Sequence, residues 1–493
     1  MAFTPSKYQK TLYTYIQKAR GNAVVEAVAG GGKTSSLVNA IKLIPSDKQV
    51  LFLAFNKSIV EELKIKVGNL ENVTVSTIHS LGAKVCRKYL KCSVDDNKYK
   101  TWLNDGIKSG FIAPINNLSN EDREEWLGNI RKLIDLGRVN LTTEEHGLNE
   151  LACKHGLWIL DNEVQMAIRG IDWGVHNTNI IDYTDMIYLP VVKDMKVWQY
   201  DWVFIDECQD LNAAQRSMFL KHVKMNGRFV AVGDPKQAIY GFAGADVESF
   251  NLLKQLPRTA KLPLSVCYRC DKSIIDLAKT EVPQIEAREG APDGIINYDA
   301  KIADVQDGDM VLCRVSAPLV DLCMRYIANG VKAYVKGRDI GMNLINMIKK
   351  TKKVKISDLT EVFNRELSRI IGKVIAKLHC SGKEAMESDA YTSYQDKVKA
   401  IEILGEGLVK CDDLISRIET IFSDESKNGI CLSTVHKSKG LESDRVFIIC
   451  PEKFLLKNCM QIPWMAEQEH NLQYVAYTRA KHYLGFITDF KTK

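Results

Sequence analysis

Short apolar runs alternate with amphipathic stretches along the first part of the chain. Residues 23–28, 50–55 and 73–77 read as strands, and 35–44 and 59–67 as helices. That alternation predicts parallel β-α-β construction. From about 81 to 192 the pattern turns helical and mixed, rich in Trp, Lys and acidic residues, and reads as an inserted helical subdomain. Strand-like runs return at 203–205, 229–232 and 262–266, so the first sheet resumes beyond the insertion. Runs at 310–313, 333–335, 430–433 and 446–450 predict a second α/β unit, interrupted by a largely helical stretch between Gly337 and Ser426. There is no repeat of fixed period, no low-complexity segment and no Pro/Gly/Ser linker.

Composition narrows the class. The 493 residues include 67 Lys plus Arg against 61 Asp plus Glu, with 45% hydrophobic and 26% charged residues. These values exclude disordered, collagen-like and coiled-coil chains, and the length predicts two to four domains. The net charge of +6 permits a nucleic-acid partner without demanding one. Thirteen cysteines, an odd count, and no signal-like N-terminal segment point to a reducing compartment. No apolar run approaches the roughly 20 residues of a membrane span. The expectation is a cytoplasmic protein without a membrane role, in the host cytoplasm if viral and in the nucleus if eukaryotic.

The strongest local signal is Ala27-Val-Ala29-Gly30-Gly31-Gly32-Lys33-Thr34, between a strand-like and a helical run. Glycines let backbone N–H groups curl around phosphate oxygens, and the following helix adds its positive end. Lys33 would reach the β- and γ-phosphates, and the Thr34 hydroxyl would ligate Mg²⁺. Ala27 departs from the pattern, which asks for Gly there. The apolar run ending in Asp206-Glu207 delivers two carboxylates to a strand end, Asp206 to hold Mg²⁺ and Glu207 to orient and deprotonate water. Alone, that pair would more simply cap a helix; the phosphate loop upstream favours the nucleotide role.

These residues and the motifs that follow resemble the UvrD/Rep-like branch of the superfamily 1 DNA helicases, close to F-box DNA helicases and phage relatives. The likeness runs in family order from Tyr8 to Lys481. It implies two RecA-like P-loop cores with parallel sheets, each carrying a mainly helical insertion: 1–80 and 195–265 for the first core, 81–194 for its insertion, 266–337 and 427–493 for the second core, and 338–426 for its insertion. It also implies ATP and Mg²⁺ as cofactors. Gln9 would read adenine; Ala29, Gly30, Gly31, Gly32, Lys33, Thr34 and Ser35 would surround the phosphates. Gln237 and Arg269 would sense the γ-phosphate, Tyr268 would stack on adenine, Glu442 would touch nucleotide, and Arg479 would act as a finger from the second core. Such an Arg, supplied across a cleft, is worth about 10³ to 10⁵ in rate.

For nucleic acid the resemblance implies Phe55, Asn56, Thr77, His79, Tyr240, Phe242, Thr434, His436 and Lys437. A ring that stacks on bases contributes roughly 1 to 3 kcal/mol per base without sequence preference. Core packing competes with that role for the aromatics, almost evenly at Phe55, and His79 and His436 belong to a residue type that is more often structural. Relatives often carry Arg-Trp-Arg where this chain has Gly241-Phe242-Ala243, and many place Arg where Ser35 stands.

Three further features invite chemistry. Cys267-Tyr-Arg-Cys270 has metal-like spacing but no second CxxC, so a metal is not expected. Asp182-Tyr-Thr-Asp185 resembles an acidic motif of relatives, with helix capping by Asp182 the simpler local account. Residues 349–355 hold five lysines, either a solvated run or a contact to duplex phosphates. The expected activity is an ATP-dependent 3′-5′ helicase acting on single-stranded DNA and strand junctions as a monomer, with replication or recombination proteins as partners. Alternatives are a translocase that strips bound proteins and a nucleotide-gated DNA-binding protein. A fused nuclease is not expected from the short stretch after Arg479.

Overall fold

The structure, a computed structural model, describes residues 4–18, 20–112, 120–157, 161–239, 248–378, 380–423, 429–455 and 463–491. The chain divides into two compact units, Met1–Ala27 with Gly32–Ser265, and Val28–Gly31 with Val266–Lys493. Each is built on one parallel sheet, the RecA-like arrangement.

In the first unit the strands are β1 (Asn22–Ala27), β2 (Val50–Ala54), β3 (Val73–Thr77), β4 (Ser93–Val94), β5 (Ile180–Ile181), β6 (Tyr200–Ile205), β7 (Val223–Gly233) and β8 (Thr259–Leu264). Six of them form a sheet in the order β3-β2-β6-β7-β1-β8, parallel throughout. Its helices are α1 (Lys7–Lys18), α2 (Lys33–Ile41), α3 (Lys57–Val67), α4 (Ile78–Leu90), α5 (Lys98–Lys108), α6 (Asn120–Asn140), α7 (Glu145–Lys154), α8 (Asp161–His176), α9 (Asp185–Val192), α10 (Ala213–Lys221) and α11 (Ser249–Gln255). The pleat sends Val25, Phe52, Phe204 and Val232 into a core with α1, α2 and α3. It sends Val24, Leu53, Ile205 and Ala231 into a core with α4, α9 and α10. Burial on both faces is why these strands look continuously apolar in the sequence. The second core continues without a break into the insertion through Trp102, Ile130, Ile134, Leu148 and Ile171.

The second unit contains β9 (Val266–Cys267), β10 (Glu286–Ala287), β11 (Ile295–Asn297), β12 (Met310–Cys313), β13 (Ala333–Lys336), β14 (Phe422–Ser423), β15 (Ile430–Thr434), β16 (Ser443–Ile449) and β17 (Ala480–Ile487). Seven of these form a parallel sheet in the order β11-β17-β16-β12-β15-β13-β14. Its helices are α12 (Lys272–Ala278), α13 (Ala317–Ala328), α14 (Arg338–Thr351), α15 (Leu359–Leu378), α16 (Gly382–Met386), α17 (Asp389–Gly405), α18 (Cys411–Ile421) and α19 (Pro463–Tyr477). Val311, Val335 and Leu432 share one core with Leu344 and Ile345 of α14, Ile401 of α17 and Leu414 of α18.

Several expectations change. The run 262–266 is two strands, because Ser265 separates β8 of the first sheet from β9, which pairs with β10. The helical stretch before Ser426 ends in β14, which extends the second sheet beside β13. The first insertion carries the small pair β4–β5. Residues Val28–Gly31, expected within the first core, pack with the second unit. Helix α1 and strands β11 and β17 were not anticipated. In β17 the polar Lys481 and His482 and the central Gly485 hide the strand pattern, yet an added Cβ at Gly485 would come within 2.8 Å of the Phe447 ring.

Candidate nucleotide and nucleic-acid sites

Strands β6, β7 and β1 are parallel neighbours, so the segments leaving their C-terminal ends share one edge of the sheet. β1 leads into the phosphate loop, β6 into Asp206 and Glu207, and β7 into Asp234 and Gln237. In the loop, Gly30 (φ 63°) and Gly32 (φ 71°) are left-handed, a conformation glycine adopts without strain. Gly32 caps α2 with no side chain of its own, leaving the first-turn amides of the helix as anion donors.

Lys33 Nζ lies 2.8 Å from Glu207 Oε1 and 2.9 Å from Oε2. Burial works against its charge, but Glu207, Asp206 and Asp234 outweigh that effect and raise its pKa. The Thr34 hydroxyl donates to Asp206 Oδ2 at 2.6 Å. Burial and the neighbouring charge of Glu207 push Asp206 up to about 6, and burial does the same to Asp234. Gln237 Nε2 donates to Asp234 Oδ2 at 2.7 Å. Glu207 itself sits at φ 54°, an uncommon conformation for a residue with a side chain and one often found at functional sites.

Gln9 is buried, its Nε2 donating to Ser36 Oγ at 2.9 Å and its Oε1 accepting the Ser6 amide at 2.9 Å. Its carboxamide therefore tethers α1 to α2. Ser35 is exposed. Among the strand-contact candidates, Phe55 is 49% exposed. Asn56 caps α3 by accepting the Ile59 amide at 2.9 Å, and Thr77 caps α4 by accepting the Ser80 amide at 3.1 Å. His79 stacks on Tyr183 with ring centres 4.1 Å apart, and burial lowers its pKa to about 4, so it is uncharged at neutral pH. Tyr240 and Phe242 lie outside the described residues.

The second-unit candidates fall at opposite edges of their sheet. At the C-terminal edge, Arg314 follows β12 and Thr434, His436 and Lys437 close or follow β15. With Asp396 and Lys399 they line a cavity of 460 Å³. Arg314 grips Glu469 through Nη2 at 2.7 Å and Nε at 3.0 Å, and Lys437 pairs with Asp339 at 2.7 Å. Burial, reinforced by the charges of Arg314 and Lys437, lowers His436 to about 3.

At the N-terminal edge, Glu442 immediately precedes β16 and Arg479 precedes β17. Arg269 Nε donates to Glu442 Oε2 at 2.7 Å, and its Nη1 donates to the Thr478 carbonyl at 3.1 Å. Burial opposes the Glu442 charge, but Arg269 and Lys481 outweigh it and lower the pKa. Arg479 is 1% exposed, donating to the carbonyls of Val475 and Leu441, each at 3.0 Å. The Tyr474 hydroxyl accepts the Ala29 amide at 2.7 Å, and the Gly30 carbonyl accepts the Tyr268 amide at 2.9 Å.

The sequence reasoning passed over Gln209. Its Nε2 donates to Glu207 Oε2 at 2.6 Å and its Oε1 accepts the Asp234 amide at 3.0 Å. Its position in the acidic motif was the available signal. Tyr183 was passed over as an aromatic, and Arg314 and Glu469 leave no trace in any periodic pattern. Asp182 does take part in local capping, accepting the Asp185 amide at 2.8 Å. Its larger role is a buried ion cluster, because Arg138 donates to both oxygens of Asp182 and to Asp185, while Lys98 holds the other oxygen of Asp185.

In the CxxC segment the Cys270 amide donates to Cys267 Sγ at 3.5 Å, and all twelve described cysteines are free thiols. Among the described residues no group of three or more His, Cys, Asp or Glu is arranged to hold a metal. Mg²⁺ does not require one, since it is commonly held by one or two carboxylates together with substrate phosphates and waters. The touching oxygens of Thr34 and Asp206 fit that requirement.

A glycine-built phosphate loop facing a Lys–carboxylate pair, on one of two RecA-like cores, defines the class: a P-loop nucleotide-binding protein. Residues 9–257 match the UvrD/REP helicase N-terminal domain and 408–491 the UvrD-like helicase C-terminal domain, and the chain belongs to this helicase family. It is 22% identical to the ATP-dependent DNA helicase Rep of Buchnera aphidicola subsp. Schizaphis graminum, over 53% of this chain and 42% of Rep. To F-box DNA helicase protein 1 of Schizosaccharomyces pombe it is 24% identical over 95% of this chain and 56% of that protein. To the ATP-dependent DNA helicase PcrA of Staphylococcus epidermidis it is 21% identical over 97% of this chain and 82% of PcrA. The chain thus spans about half the length of the Rep and F-box relatives.

Proposed function

We propose that the chain is an ATP-dependent DNA helicase or translocase that moves 3′ to 5′ along single strands. The observation that carries this reading is the contiguous set Lys33–Glu207 and Thr34–Asp206 at the mouth of the phosphate loop. Phosphoryl transfer to water needs little covalent help from the protein, mainly positioning and charge neutralisation. The loop amides and Lys33 bind the phosphates. Thr34 and Asp206 would hold Mg²⁺, which supplies further neutralisation of phosphate charge. Glu207, now paired with Lys33, orients the attacking water once Lys33 turns to phosphate, and accepts its proton. Arg269 and Arg479 complete the charge clamp in this reading. Alternating grip of the two cores on a strand, timed by hydrolysis, then yields directional movement.

ATPase assays with and without single-stranded DNA, and strand displacement on 3′-tailed, 5′-tailed and blunt duplexes, test the proposal. Stimulated hydrolysis, lost in Lys33→Ala and cut to a small residual rate in Glu207→Gln, with displacement of 3′-tailed duplexes only, is the expected outcome. Absence of DNA-stimulated hydrolysis refutes it. A second reading, a translocase that clears bound proteins, is favoured by the compact second insertion, whose described helices run from Arg338 to Ile421. That reading predicts stimulated hydrolysis with little displacement.

A further inference from the structure

We propose that Gln209 is the positioning residue for the hydrolytic step, holding Glu207 in place and tying it to the Asp234–Gln237 segment. The assignment rests on the reading of Glu207 as the group that activates water. Glu207 is poorly held by its own backbone, since at φ 54° a residue with a side chain persists only where its surroundings over-determine it. Lys33 and Gln209 both bond its carboxylate. Lys33 must leave Glu207 to engage a phosphate, whereas nothing in the reaction requires Gln209 to move.

The geometry makes Gln209 a two-ended connector. Its Nε2 donates to Glu207 Oε2 at 2.6 Å, and its Oε1 accepts the Asp234 N–H at 3.0 Å. Asp234 in turn accepts from Gln237 Nε2 at 2.7 Å and from the Lys236 amide at 3.0 Å, so it shapes the turn that presents Gln237. Lys33, Glu207, Gln209, Asp234 and Gln237 therefore form one unbroken hydrogen-bonded chain within the first unit. Gln209 is buried, and its path is kept open by Gly233. A Cβ at Gly233 would lie 2.5 Å from Gln209 Oε1 and 2.9 Å from Cys208 Sγ. Glycine here is needed for the clearance of that side chain, not for backbone freedom. A carboxamide also suits the position chemically: it offers a donor NH2 and an acceptor C=O without adding charge, whereas Glu would face Glu207 with a second carboxylate and Met offers neither contact.

The test is a double-mutant cycle on DNA-stimulated ATP hydrolysis by the full chain with Mg²⁺. Gln209→Met should lower kcat by at least about tenfold, the scale on which a mispositioned base acts, while KM for ATP stays within about threefold. In a Glu207→Gln background the same change should cost less than about twofold, because a residue acting through Glu207 has nothing left to position. Gly233→Ala keeps Gln209 but displaces it, and should reproduce both results. Gln209→Glu, which retains the acceptor for Asp234 but not the donor, replaces Gln209→Met should that variant fail to fold. A Gln209 variant within twofold of wild type, or one whose loss multiplies in full with that of Glu207→Gln, overturns the assignment and leaves the enzymatic reading standing. A wild-type chain that hydrolyses no ATP overturns both.

Discussion

Arg138 offers the sharpest test of how the first insertion is held to its core. Its guanidinium has no solvent exposure and lies over the Tyr99 ring at 4.2 Å. It donates to Asp182 Oδ1 at 2.8 Å, to Asp182 Oδ2 at 2.7 Å and to Asp185 Oδ1 at 2.7 Å, with the half-exposed Asp135 beside it. Arg138→Met keeps the bulk and removes the charge. Asp185 would retain Lys98 at 2.7 Å, but Asp182 would lose its only ion-pair partner among the described residues while remaining buried. Breaking a buried pair by removing one partner costs about 3–5 kcal/mol, and the surviving Lys98 places this case near the lower end, about 3 kcal/mol. A chain of two units has no single unfolding free energy, so the readout must be local. Hydrogen exchange of peptides from α5, α6, α8 and α9 should accelerate by about 100-fold, while amides of β1 and β7 stay as they were. Arg138→Lys should fall between, since one ammonium cannot span two carboxylates as the planar fork does. An acceleration below about fivefold in those helices would show that the cluster is not what secures them, and the reasoning would fail.

Three other outcomes follow from the same geometry. Gly82→Ala places a Cβ 1.9 Å from the Met186 carbonyl and should push α4 off α9, weakening that packing by about 1–3 kcal/mol, seen as faster hydrogen exchange in both helices; unchanged exchange refutes the close approach. Burial holds His79 at about 4, His436 at about 3 and His222 below its usual value, so the unfolded chain protonates first and these groups withdraw stability as pH falls from about 6.5. Asp206 and Asp234, raised to about 6, act oppositely and gain stability on acidification, so the histidine contribution is read by difference: between pH 6.5 and 5, His79→Gln should lose less amide protection in α4 than wild type. Lys349, Lys350, Lys352, Lys353 and Lys355 are exposed and, among the described residues, form no ion pair; replacing them with Ala should weaken duplex binding and flatten its dependence on salt, and an unchanged slope would assign them to solvent.

What the sequence made legible depends on whether a feature is local. The strand at 50–54 is buried at all five positions, so it reads as one apolar run, and the phosphate loop reads from glycines adjacent to Lys33. Asp206 and Glu207 stand out because charge abruptly follows an apolar strand. Contacts between distant segments leave no such mark: Arg138 meets Asp182 across 44 positions, and Gln9 meets Ser36 across 27. The left-handed backbone of Glu207 is likewise invisible, because glutamate has no local preference for that conformation.

The segment 435–442 shows why motif spelling alone conceals a division of labour. It joins the C-terminal end of β15 to the start of β16, two parallel strands that flank β12. A parallel connection must return along the whole length of the sheet, and ordinarily takes a dozen or more residues, usually with a helix. Here a run of turns suffices, with the Ser438 amide donating to the Thr434 carbonyl at 3.0 Å and the Leu441 amide to the Ser438 carbonyl at 2.8 Å. Thr434, His436 and Lys437 therefore remain at one edge while Glu442, gripped by Arg269, reaches the other. Residues that look like a single cluster in the sequence are the two ends of a short crossover. If Thr434, His436 and Lys437 touch a strand and Glu442 a nucleotide, as proposed, the eight residues 435–442 are the direct backbone path between the two contacts.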